Sequence, residues 1–188
     1  MTPSQSAATK RPRVAIFLRG INVGAYHRVT MSTVVETLRE GGIEVSRTIL
    51  QSGNLVAETD ASAADVTARV RHTLSTRLGF DVPCVTLDRE TFLVATDAHP
   101  LAQPGRDDRL LTVAFSDPVV DDATFVRSGL EHLGPELVRR GASVIYQWCP
   151  TGVSKSVDVV RTIDRVTGGV STLRNWRTLQ LVRGAMVA

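Results

Sequence analysis

The sequence predicts an α+β protein built of two ferredoxin-like β-α-β-β-α modules packed together, with an extra helix at the C-terminus. Three observations predict it. Short apolar runs of strand length alternate with longer segments of helical period. Their order, β-α-β-β-α-β, is written nearly twice, the second time as β-α-β-β-α followed by one more helix. A charged junction, Arg106–Asp107–Asp108, separates the two series. Residue identity between the halves is negligible, so the repeat is one of pattern only. The chain then divides into a disordered tail at 1–12, an N-terminal half at 13–105 and a C-terminal half with the terminal helix at 106–188. One continuous mixed sheet is the alternative arrangement of the same elements.

In the first half, "RVAIFLR" is a nearly continuous apolar run and reads as a buried strand. The loop "GINVGAYHRVT" follows. "MSTVVETLREGG" reads as a helix with Val34, Val35 and Leu38 on its apolar face. Thr33 and Glu36 have capping-box spacing, with Thr30 as an alternative start. "EVSRTILQSGNLVAE" reads as a hairpin whose turn is Ser52–Gly53–Asn54, since Gly and Asn tolerate positive φ. "SAADVTARVRHTLSTRLG" is the clearest helix, with Ser62 as N-cap, Val66, Val70 and Leu74 inward, and Gly79 as the stop. "VPCVTL" is a strand, and Asp88 opens a short helix that His99–Pro100 breaks.

In the second half, "RLLTVAF" reads as a strand. "DDATFVRSGLEHLG" reads as a helix with Phe125, Val126 and Leu130 inward. "ELVRRG" and "SVIYQWCP" read as strands, and "SKSVDVVRTIDRVTGG" and "NWRTLQLVRGAM" as helices.

Composition narrows the function classes. The chain has 188 residues, 43% of them hydrophobic, enough to bury roughly 70% of its unfolded surface. No apolar run reaches the ~18 residues of a membrane span. The N-terminus lacks the apolar middle of a signal peptide, so a cytoplasmic protein is expected. Cys84 and Cys149 read as isolated buried thiols. No Cys/His spacing suits zinc, and the four histidines are scattered, so no metal site is expected. A net charge of +3 is compatible with an acidic ligand, but Asp and Glu are mixed through the Arg-bearing segments. Aromatics make up 5%, few for stacking on single strands.

Three polar clusters break the apolar periodicity. In "LRGINVG", Arg19 follows directly on a buried strand, Gly20 and Gly24 let the backbone turn or approach a ligand, and Asn22 adds an amide. The glycine spacing is not that of a dinucleotide fingerprint. In "QSGN", a hairpin turn accounts for Ser52, Gly53 and Asn54, whereas Gln51 is a polar residue at the end of an apolar strand. The third cluster joins "GVSKS" to "STLRNWRT". Of the 22 basic residues only Lys10 and Lys155 are lysines. "GVSKS" is not a phosphate loop, since Ser154 and Cys149 stand where that motif needs glycine. With Ser154 as N-cap, Lys155 falls in the first helical turn, where the dipole disfavours a cation by ~0.3–1 kcal/mol. Asp158 offsets part of that, and a bound anion would offset more. In "LRNWRT", Asn175 is a candidate N-cap with Thr178 three residues on, and Arg174 stands just before it. Two ordinary caps with solvated basic neighbours are the plainer account of both helix starts. No nucleophile-elbow or paired-carboxylate constellation is present.

Taken in order, "FLRGINVG", "RVTM", "QSGNLV", "GFDVP", "GVSKS" and "TLRNWRTLQLV" resemble the signature of the bacterial domain of unknown function 1697, from about Val14 to Val182. The resemblance implies a fold like the two-module one above and no established activity. Carried over singly, the characteristic polar positions fall on Arg19, Asn22, Gln51, Ser52, Asn54, Ser154, Lys155, Arg174, Asn175 and Thr178. Two departures stand out. Ala25 replaces a second glycine and His27 or Arg28 a lysine, and Arg177 replaces a more usual asparagine.

The expectation is that these words converge as a basic, amide-rich cleft between the halves. That cleft would bind a small anionic ligand, phosphorylated ones included. Arg19, Lys155 and Arg174 would neutralise its charge, and Asn22, Gln51, Asn54 and Asn175 would orient it. The alternatives are a nucleic-acid-binding module and a non-enzymatic interaction protein. No cofactor is assigned, and catalysis is left open.

Overall fold

Residues 11–22 and 28–188 are described by a computed structural model. They form two separate four-stranded antiparallel sheets, not one continuous sheet. The first contains β1 (Arg13–Leu18), β2 (Glu44–Ile49), β3 (Asn54–Glu58) and β4 (Cys84–Asp88), in the spatial order β2-β3-β1-β4. The second contains β5 (Leu111–Asp117), β6 (Val138–Arg140), β7 (Val144–Trp148) and β8 (Val170–Asn175), in the order β6-β7-β5-β8. Helices α1 (Met31–Glu40), α2 (Ala63–Leu78) and α3 (Arg89–Ala95) interleave with the first sheet, and α4 (Asp122–Ser128), α5 (Val159–Thr167) and α6 (Trp176–Val187) with the second. Each half therefore runs β-α-β-β-α-β-α, a split β-α-β module closed by a further helix. The expected tail and Gly24 lie outside the described residues, apart from Arg11 and Pro12.

Local chemistry explains where most elements start. Ser62, Asp88, Asp121 and Asn175 each accept a hydrogen bond from a backbone N–H three residues on, so their helices begin there. Thr30, rather than Thr33, caps α1.

Strand alternation then divides the core. On β1, Val14, Ile16 and Leu18 face the outer helices, where they meet Val34, Leu38, Val66, Val70 and Leu74. Ala15 and Phe17 face inward, to a core shared by both halves with Phe92, Phe115, Tyr146 and Trp176. The rings of Phe17 and Phe115 stack at 5.0 Å. Helix α6 closes this shared core. It contacts β1, β2 and β3 of the first sheet as well as β5 and β8 of the second. Its Trp176, Leu179, Val182 and Met186 are buried there, each contributing roughly 1.5–3 kcal/mol. Arg13 donates to the Ala185 carbonyl and Arg183 to that of Leu93, so the C-terminal helix is also pinned to the N-terminal half by polar contacts.

Four expectations are corrected. The helix expected from Ser154 begins at Val159, because the Asp158 carboxylate accepts from the Arg161 N–H and closes the first turn. Ser154 and Lys155 instead lie in a 3-10 turn, Val153–Lys155, entered through Gly152 at φ +103. Residues 170–174, assigned to no element from the sequence, form β8 with Asn175, since pairing along β5 satisfies a segment with little apolar content of its own. Helix α4 stops at Gly129, which takes a left-handed conformation, so Leu130 enters the core from a 3-10 turn and Val126 is left 60% exposed. Asn54 is not a turn residue but the first of β3, fully buried; the positive φ angles are at Leu50 and Gly53.

Gly53 carries a prediction. Its φ is +76, and a Cβ there would stand 2.7 Å from the Leu18 Cβ. Gly53→Ala is expected to destabilise the protein by about 1–3 kcal/mol in urea unfolding. A change under half a kcal/mol would show that the turn tolerates a side chain.

Candidate functional site

The two halves meet in a cleft of about 480 Å³. One wall is the end of β1 and the loop after it, residues 18–21, together with Ser52. The other is Asp158, Val160, the end of β8 and Thr178. Of the residues expected from sequence, Arg19, Ser52, Arg174, Asn175 and Thr178 line it.

Arg174 is the centre of the wall. Nε donates to the Asn54 side-chain oxygen, Nη1 to Thr172 Oγ1 (2.6 Å) and the Leu173 carbonyl (2.8 Å), and Nη2 to the carbonyls of Leu18 and Ser52. All five N–H donors of the guanidinium are thus used, and three acceptors belong to the N-terminal half. None is a carboxylate, and Arg174 has no ion-pair partner among the described residues. Its guanidinium also lies 5.4 Å from the Phe17 ring centre. Burial lowers its pKa to about 10, so it stays charged at neutral pH.

Arg19 behaves differently. Its Nη1 meets the Asp164 Oδ2 of α5 and the Ser171 carbonyl, at 3.1 Å. Nε and Nη2 have no partner among the described residues, so one edge of the fork is free. Asp158 lines the same cleft. Arg19 and Arg174 therefore share the cleft with one carboxylate, Asp158, where a basic, amide-rich cleft was expected.

The amides of the first half serve mainly to hold backbone. Asn22, at φ +54, donates to the carbonyls of Val29 and Gln51 and accepts from the Val29 N–H, closing the loop between them. Asn54 donates to the Ile49 carbonyl and to Ser52 Oγ while its oxygen receives Arg174. Gln51 is exposed and lines a neighbouring concavity with Asn22, Arg28, Val29 and Thr30. On the other wall Asn175 caps α6 through Thr178 N–H, leaving its amide N–H group without a partner among the described residues. Ser154 and Lys155 are exposed, in the turn that leads to Asp158. That turn is anchored by Gln147, whose amide donates to the Val157 carbonyl.

Three residues here carried no sequence signal. Asp164 and Thr172 look like ordinary polar positions of a helix and a loop, and Gln147 like an outward residue of a strand. Cys84 and Cys149 are both buried and unpaired, and burial pushes the Cys84 thiol up to about 12. No group of three His, Cys, Asp or Glu among the described residues is placed to hold a metal ion. The aromatic rings of Phe17, Phe92, Phe115 and Trp176 are interior, so they offer no stacking face to nucleic acid. No described helix is long and apolar enough to cross a membrane.

Fold and cleft together define a two-module α+β protein whose halves are clamped by an arginine at their junction. The chain belongs to the DUF1697 family, described as proteins of unknown function, whose model matches residues 12–146. That match ends before Ser154, Lys155, Arg174, Asn175 and Thr178, so their assignment as motif positions rests on the sequence words alone. A solved structure, the conserved bacterial protein SP0830 from Streptococcus pneumoniae, is similar with a TM-score of 0.69 at 22% identity. The likeness covers 94% of this chain and 99% of that one, and at this identity it speaks to the fold. No curated protein matches the chain.

Proposed function

We propose that the protein binds a small anionic ligand, phosphorylated ones included, in the cleft between its halves. The observation that supports this is Arg174: a cation in the cleft wall, bonded only to neutral oxygens, with no carboxylate in contact with it among the described residues. An anion in the cleft would balance that charge in a partly desolvated setting, where charge–charge attraction is strong. Arg174 contributes field, because its donors are already used. Direct hydrogen bonds come from the free edge of Arg19, the unpartnered Asn175 amide and the hydroxyls of Ser52 and Thr178. Lys155, exposed in the turn that leads to Asp158, adds longer-range attraction.

Thermal unfolding tests this with inorganic phosphate, nucleotides, sugar phosphates and short oligonucleotides as probes. A true ligand at about a hundredfold its Kd stabilises by roughly 2.7 kcal/mol, about 5–10 °C for a chain of this size. Lys155→Ala is expected to leave the unliganded Tm unchanged and to reduce the ligand's shift. If no small anion moves the Tm, or if only oligonucleotides do so and salt abolishes the effect, a small-anion site is wrong.

A further inference from the structure

We propose that Asp164 is an internal stand-in for the ligand, resting on the binding function just proposed: its carboxylate holds Arg19 and is displaced when an anion enters. The pair is poorly made. A carboxylate facing a guanidinium can take two parallel N–H···O bonds, yet Asp164 meets Arg19 through Oδ2 and Nη1 alone. Its other oxygen, Oδ1, is buried with no hydrogen-bond partner among the described residues. The Ser171 hydroxyl is likewise buried and without a partner among the described residues, on the residue whose carbonyl accepts from the same Nη1. Such orphaned oxygens are unfavourable, and the one on Asp164 is relieved as soon as the carboxylate turns out to water. The route exists, since the Arg19 and Asp164 side chains are 38% and 21% exposed. Meanwhile Nε and Nη2 of Arg19 are free, and Arg19 lines the cleft. A phosphate that takes that free edge with two oxygens brings a like charge against the Asp164 carboxylate, and the singly bonded carboxylate gives way. Asp164 thereby sets the affinity: an entering anion must outcompete a tethered carboxylate that also ties α5 to the end of β1.

Calorimetric titration of inorganic phosphate into the full chain and three variants tests this. Asp164→Asn is expected to bind phosphate roughly two- to fivefold more tightly than wild type, the strength of a partly exposed ion pair. Arg19→Gln is expected to weaken binding, and adding Asp164→Asn to it should restore nothing, because the two residues act as one unit. If Asp164→Asn gives no gain while Arg19→Gln still weakens binding, the stand-in role is overturned and the binding function stands. If the gain persists without Arg19, a general loss of negative charge accounts for it and the stand-in role is again overturned. Absence of phosphate binding in every form overturns both. Asp164→Ser serves the same cycle should the asparagine variant fail to fold.

Discussion

Arg174→Met is expected to lower the free energy of unfolding by about 3–5 kcal/mol, read from urea denaturation at neutral pH. Methionine keeps an unbranched apolar stem against Phe17, so the loss isolates the guanidinium. Five oxygens lose their donor, among them the Leu18 carbonyl, the Ser52 carbonyl and the Asn54 side chain of the first half. Asn54 is fully buried, so its oxygen has no ready access to water. Leaving a buried acceptor unsatisfied costs about 1–3 kcal/mol, and relaxation of the more exposed ones keeps the total below a simple sum. Lysine is not a substitute: one ammonium cannot span acceptors on both sides of the junction as a planar fork does. A loss under about 1 kcal/mol would mean that the clamp is incidental and that the shared apolar core alone joins the halves.

Stability is also expected to fall by about 3 kcal/mol between pH 6.5 and pH 4 because of His99. The ring is 5% exposed, held edge-on between Tyr146 and Trp176 at 5.0 and 5.2 Å. Its Nδ1 accepts from the Leu101 N–H, so the proton is on Nε2, which donates to the Thr112 carbonyl at 3.1 Å. A second proton would have to enter at Nδ1, against that N–H. Burial therefore lowers the pKa from 6.5 to about 4, with the Thr112 carbonyl offsetting part of the shift. The unfolded chain takes up the proton first, near pH 6.5, and the folded chain only near pH 4. Stability is thus complete above 6.5, declines as pH falls through this window, and the histidine's share levels off below 4. His99→Gln retains a donor and an acceptor but does not titrate, so the difference between its stability and that of wild type should shrink steadily through the same range. A pH-independent difference would show that His99 is not the group responsible.

Helix starts were legible in the sequence wherever a single acceptor decides them. Ser62, Asp88 and Asn175 each satisfy an N–H three residues away, a bond that needs no distant partner. Ser154 had the right chemistry too, but Asp158 lay nearby with a carboxylate in the same role, and the later cap closes the helix. The strand at Val170–Asn175 was not legible because its pattern is largely polar; it is ordered by β5 alongside it. The cleft was legible as a set of words and not as a set of roles. Arg19, Ser52, Arg174, Asn175 and Thr178 do share one cavity wall. Asn22 and Asn54, expected as ligand contacts, are engaged with backbone and with Arg174.

By itself the sequence determined the order of the elements other than β8, and most caps. These follow from period and from contacts a few residues apart, which any short segment carries within itself. Only the tertiary structure decided what each polar side chain touches. Arg174 reaches Asn54 and Leu18 across 120 and 156 residues of chain, and Arg19 reaches Asp164 across 145. Nothing local to "LRGINVG" or "LRNW" distinguishes an arginine whose donors are all consumed from one with an edge to spare. That difference arises only when the two sheets close on their common core and the ends of β1 and β8 are brought together.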